Sequence, residues 1–138
     1  MIKILHELIP ASTVRIQGIE TLTADNVLTA FDEQGVRFTL VKLSNGDWEI
    51  ESSEMTDKEI LESLNIDQAG HLGSLQICTE ACTRYGLGPF SCHSSELKAF
   101  IENYDHDMFF DGDVIIICKE SRTITVFHHA GGYVHVRV

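Results

Sequence analysis

Cys78 and Cys82 stand four residues apart, and Cys92-His93 follows ten residues on, so one stretch offers four zinc-type ligands. The spacing does not match the short C-x₂-C knuckles of common structural zinc sites. On a helix, Cys78 and Cys82 would share one face with Leu75 and Tyr85, an apolar stripe. Reduced cysteine is among the most often buried residues, so the pair reads as core and no metal is assigned to it. Cys92-His93 also supplies the residue types of thiol catalysis, without an identifiable third group to orient the imidazole.

Asp105, His106, Asp107, Asp111 and Asp113 crowd one connector. Oxygen-rich loops hold Ca²⁺ or Mg²⁺, and Asp/His pairs do acid–base work. The alternate ligands, central Gly and distal Glu of an EF-hand are missing, and Asp111-Gly112-Asp113 reads as a turn before a strand. His128, His129 and His135 lie on the last hairpin. A three-residue loop at 130–132 would put His129 and His135 on one face with Phe127 and Tyr133. Cys92, His93, His106, His129 and His135 are the residues from which a ligand pocket could be built. No catalytic residue and no cofactor is assigned. Phosphate loops, dinucleotide fingerprints, G-x-S-x-G and H-E-x-x-H are absent.

Charge is the more informative feature. The net charge is −11, and it is concentrated. Residues 44–70 carry eight carboxylates against Lys58 alone, and residues 96–113 carry six against Lys98 alone. The rest of the chain is close to neutral. Charge of one sign steers oppositely charged partners, and it opposes direct nucleic-acid binding, which needs Lys and Arg for the phosphates. The sequence therefore points to a non-enzymatic protein whose acidic face meets a basic protein partner. Toxin-immunity proteins and phage proteins that mimic nucleic-acid charge are examples of that class. Glu51, Glu54, Asp57, Glu59, Asp105 and Asp107 are the candidate contacts. The alternative is a small enzyme or ligand-binding domain using the histidine, aspartate and cysteine pocket.

The chain has 138 residues, 43% of them hydrophobic and 22% charged, which suits a single domain with an ordinary core. No apolar run is long enough to span a bilayer, so no membrane partner is expected. Lys3, His6 and Glu7 interrupt the first ten residues, so a secretory leader is not expected. Four cysteines in a chain of this size read as reduced thiols in the cytoplasm.

The elements that must position these residues are strands, then helices, then strands. Val14 and Ile16 alternate with polar neighbours. Residues 27–31 and 36–43 are rich in strand formers, with 32–35 a turn between them. Asn45-Gly46 is a hairpin signal that pairs Leu43 with Trp48, Lys42 with Glu49 and Val41 with Ile50. Thr56-Asp57-Lys58-Glu59 matches a capping box, with Met55 placed to staple onto Ile60. Helices are expected from there to about 65, over 74–85 and over about 94–104. Residues 114–118 read as a central strand, and 123–129 and 133–138 complete an antiparallel set. The expected class is α+β: an antiparallel sheet, made of an N-terminal meander and a C-terminal three-strand segment, packed against about three central helices.

Overall fold

The computed structural model describes residues 1–14, 22–44, 46–104, 108–109 and 112–138. Along the chain run α1 (Ile2–Leu8), α2 (Ala24–Gln34), β1 (Val41–Lys42), α3 (Trp48–Ser52), α4 (Asp57–Ser63), β2 (Ser74–Cys78), α5 (Glu80–Arg84), β3 (Phe90–His93), α6 (Leu97–Glu102), β4 (Val114–Cys118), β5 (Thr123–His128) and β6 (Gly132–Arg137). The fold is α+β, with one six-stranded sheet in the order β1-β6-β5-β4-β2-β3, every pair antiparallel.

Strand β4 is Val-Ile-Ile-Ile-Cys, buried at every position. Successive strand side chains point to opposite faces. Ile115 and Ile117 join Ile124, Val126, Val134 and Cys78 in a core closed by Leu5, Leu8, Val27 and Phe31 of α1 and α2. Val114, Ile116 and Cys118 join Leu75, Ile77, Phe127 and Tyr133 in a second core, closed by Trp48, Ile60, Leu61, Leu64, Leu97 and Ile101 from α3, α4, α6 and the residue after α4. Each large side chain so buried contributes roughly 1.5–3 kcal/mol. The last hairpin has a three-residue connection, with His128 opposite Gly132 and Val126 opposite Val134. Its aliphatic residues share one face, as the sequence indicates, while the loop lies one residue earlier than expected.

The N-terminal meander is not formed. Residues 24–34 are a helix, because Thr23 accepts the Asn26 N–H at 3.1 Å and Gly35, at φ 78°, ends it in the left-handed region. Ala24, Val27, Ala30 and Phe31 are its buried side chains, a helical spacing that outweighs the strand preference of single residues. Of 36–43, only Val41 and Lys42 pair, opposite Tyr133 and Gly132 of β6. The residues expected to pair with 41–43, Trp48 to Ile50, belong to α3. Asp47 accepts the Glu49 and Ile50 N–H groups and caps that helix. Trp48 turns inward against Phe127, with ring centroids 6.1 Å apart, while Ile50 is 69% exposed. Asn45 and Ile16, on which two of the sequence expectations rest, lie outside the described residues.

The helix expected over 74–85 is a strand followed by one short helix. Leu75 and Ile77 alternate with Gln76 and Cys78 between β3 and β4, and a short apolar run carries too little periodicity to separate the two states. The capping box at Thr56 and Glu59 is present, and Met55 packs against the same cluster as Ile60. A tight turn at Ser94–Glu96 leads into α6, close to the expected third helix.

Two substitutions test this packing. Thr56→Ala removes the cap of α4 and should cost about 1 kcal/mol in a urea melt; an unchanged midpoint would mean that the cap contributes nothing. Gly131→Ala should cost more, since its φ is 90° and an added Cβ would sit 2.5 Å from the Trp48 ring. A Gly131→Ala protein as stable as the parent would contradict the seating of Trp48 beneath the hairpin.

Candidate functional site

The two acidic segments meet. Helices α4 and α6 are neighbours, and Lys58 Nζ lies 3.8 Å from Glu102 Oε1. Asp57 reaches across to the other segment: its carboxylate accepts the Met108 N–H at 2.8 Å and the Phe109 N–H at 3.2 Å. Both of those residues are buried, so Asp57 anchors backbone as well as carrying charge. Glu59 is exposed, but its carboxylate accepts the Thr56 N–H and hydroxyl. Glu51 and Glu54 are exposed, as are Glu49, Glu62, Asp67 and Glu96. Asp105 and Asp107 lie outside the described residues.

The residues considered for a pocket are spread over the sheet. Cys92 and His93 sit on β3, at one edge, with β2 and β4 between them and the histidines of β5, β6 and their loop. Cys92 is half-buried, and burial, then Glu96, pushes its thiol up. The His93 ring lies within 2.8 Å of the Ser95 hydroxyl and caps the turn before α6. His106 lies outside the described residues. Cys78 and Cys82 pack in the core of α1 and α2, whereas Cys92 packs on the opposite face of the sheet, so these sulfurs do not share a ligand sphere. The neighbouring Cys78 thiol, and then the Thr79 N–H, hold the Cys82 thiol below its ordinary value, but Cys82 is fully buried.

A polar row crosses the second core face. His135 Nε2 lies 2.6 Å from the Leu64 carbonyl, which can only accept, so this nitrogen carries the proton. In a neutral ring Nδ1 then accepts, and the Thr125 hydroxyl donates to it at 2.7 Å. Thr125 must in turn accept from His71 Nε2 at 2.8 Å, and His71 Nδ1 accepts from Thr123 at 2.6 Å. Thr123 accepts from Ser121, which accepts the Leu72 N–H. Every donor and acceptor is used once, and both ends are backbone groups of fixed polarity. With both rings neutral the row is fully satisfied, and burial favours that state. Burial, and secondarily His135, pushes His71 down to about 4. Burial likewise lowers His135, partly offset by the Leu64 carbonyl. A cleft of about 320 Å³ opens beside His71, with Asp67, Ser94, Ser95 and Lys98 among its walls.

A second polar cluster lies at the tip of the last hairpin. Asp113 Oδ2 accepts the Ala24 N–H at the start of α2, and Oδ1 accepts both the N–H and the ring of His129 at 2.8 Å. Burial pushes the Asp113 carboxyl up, but these donors outweigh it and hold the group below its ordinary value. A cavity of about 510 Å³ adjoins Asp113 and His129, with Glu49, Glu80 and Trp48 on its other sides.

Sequence reasoning singled out neither His71 nor the hydroxyl row. Thr123 and Thr125 alternate with Ile124 and Val126 and share the parity of Phe127, which marks a polar strip on a buried face. The partner that satisfies it comes from fifty residues away, so spacing alone carried no signal.

The row makes stability depend on pH. Both folded-state pKa values are depressed, so the unfolded chain binds more protons just below its ordinary histidine pKa. Stability is fully present above about pH 6.5 and falls as pH drops toward about 4. Between pH 7 and pH 5 the wild-type should lose on the order of 1–2 kcal/mol more than His71→Gln in urea melts. Parallel pH profiles for the two proteins would refute the neutral row.

No family model, no curated protein and no solved structure matches this chain.

Proposed function

We propose that this is a non-enzymatic binding protein whose acidic helical layer occupies a basic surface of a protein partner, in the manner of an immunity protein or a nucleic-acid mimic. The observation that carries the reading is the meeting of α4 and α6, joined by Lys58–Glu102 and by Asp57 on the 108–109 backbone. Segments forty residues apart in sequence thus add their charge on one side of the sheet. Carboxylates there stand where phosphates would stand on a cationic active site. A field of one sign raises the association rate, while a few buried contacts set the residence time. The same field disfavours direct nucleic-acid binding. A second reading, a small ligand-binding domain or enzyme, draws support from the cavity between His129, Asp113 and Glu80.

The test uses charge reversal at residues that hold no backbone. The partner is captured from a lysate of the source organism at low salt and purified. Its association rate is then measured with wild-type protein and with a triple variant, Glu51→Lys, Glu54→Lys and Glu62→Lys. The rate should fall about ten-fold or more at 0.01 M salt, and the difference should shrink toward 0.15 M, as the Debye length shortens from about 30 Å to about 8 Å. Stability should change by under ~1 kcal/mol. Equal rates, or a loss that salt does not alter, would remove the charge-driven reading.

A further inference from the structure

We infer that Asp113, His128 and His129, with Asp25 beside them, form a binding site for a divalent first-row transition-metal ion of the zinc type. Among the described residues, these three make the one group of His, Cys, Asp or Glu whose ligand atoms all lie within 4.8 Å of one another. Two imidazoles with carboxylate oxygens are a donor set that suits zinc and its neighbours better than calcium or magnesium.

The geometry follows from the hairpin. Neighbouring strand residues point to opposite faces. Strand β5 ends at His128, so His129 already belongs to the turn and its ring is free of the strand alternation. The two rings stack, with centroids 4.3 Å apart and planes 26° apart. Both then aim a ring nitrogen at a carboxylate. His129 Nδ1 lies 2.8 Å from Asp113 Oδ1, and His128 Nε2 lies 3.4 Å from Asp25 Oδ1. Each is a contact in which a cation can take the place of a proton. The Asp113 carboxylate is held from behind by the Ala24 N–H at 2.8 Å, an outer contact of the kind that orients metal ligands.

Access and mobility differ usefully across the site. The Asp113 and His128 side chains are 15% and 18% exposed, whereas Asp25 is 80% and His129 59% exposed. Asp113 and His128 are the fixed ligands; His129 can close by side-chain rotation, and Asp25, which contacts His128 but lies outside the group of three, would have to swing in. A tetrahedral ion with bonds of about 2.0–2.2 Å needs its ligand atoms nearer together than 4.8 Å, so some closure is required. The open side faces the 510 Å³ cavity, where Glu49 and Glu80 add negative charge. Binding has one local cost. The Ala130 N–H donates to His128 Nδ1 at 3.1 Å. An ion on Nε2 moves the ring proton to Nδ1, so that contact must open and the amide must turn to solvent.

The test uses untagged, chelator-treated protein titrated with Zn²⁺ by calorimetry and with Co²⁺ by visible absorption. The expected result is one saturable ion per chain, an intense Co²⁺ band of tetrahedral type, and a shift of the Ala130 amide resonance on Zn²⁺ addition. The double variant His128→Gln/His129→Gln should weaken Zn²⁺ binding by at least ~100-fold and leave the Ala130 resonance unmoved. Asp25→Asn should weaken it by about ten-fold or less. Where the double variant does not fold, the exposed His129→Gln alone should weaken binding by about ten-fold or more. No saturable binding, or Zn²⁺ bound equally well by the histidine variants, would overturn the site and direct attention to the cysteines.

Discussion

Val114–Cys118 carries five apolar side chains in succession, and a strand with no polar face has to be covered on both sides. That requirement organises the molecule. Strands β5 and β2 flank β4 and satisfy its backbone, while α1 and α2 close one face and α3, α4 and α6 close the other. An antiparallel sheet with a single buried face would leave half of this strand in water. The N-terminal segment therefore serves as a helical cover, and only Val41–Lys42 joins the sheet.

The two covers differ in charge. The layer made of α3, α4 and α6 comes from the two acidic stretches, so its inner side is apolar and its outer side is densely negative. Holding those segments side by side costs repulsion, and the structure offsets it at named points. Asp57 is occupied by two backbone N–H groups, Glu59 by Thr56, and Glu102 by Lys58. Glu51, Glu54 and Glu62 are exposed on the same layer, and under the proposed function they are the carboxylates a partner would meet.

Polar groups inside the fold follow a different rule. Ser121, Thr123 and Thr125 are buried, and a buried hydroxyl without a partner is costly. His71 and His135 satisfy the two threonines as neutral rings, the state that burial favours, which ties the packing of the 64–72 segment to protonation. Asp113 plays a comparable part at the sheet's other end, where one carboxylate joins the start of α2 to the β5–β6 turn. The hairpin tip is thus both a structural joint and the place where two imidazoles converge.

The sequence alone determined the α+β class, the central strand, the aliphatic face of the last hairpin, the capping box at Thr56 and the concentration of charge. Each is a local pattern: an uninterrupted apolar run, a period of two, a cap at fixed spacing, a count of carboxylates. It misled at 24–34, 47–52 and 74–78, where short segments satisfy two periodicities and burial against a distant partner decides. Trp48 is seated by Phe127 and Gly131, and Leu75 by β3 and β4, none of which its own neighbours reveal. Candidate sites divide in the same way. Acidic segments could be read from composition, but their meeting depends on α4 packing against α6. Pairing of His128 with His129 is visible as a dipeptide, yet the chemistry comes from Asp113 and Asp25, which the sheet and α2 bring in from far along the chain. Contacts between residues so far apart arise only when both faces of β4 are closed, because closing them fixes where every other segment can lie.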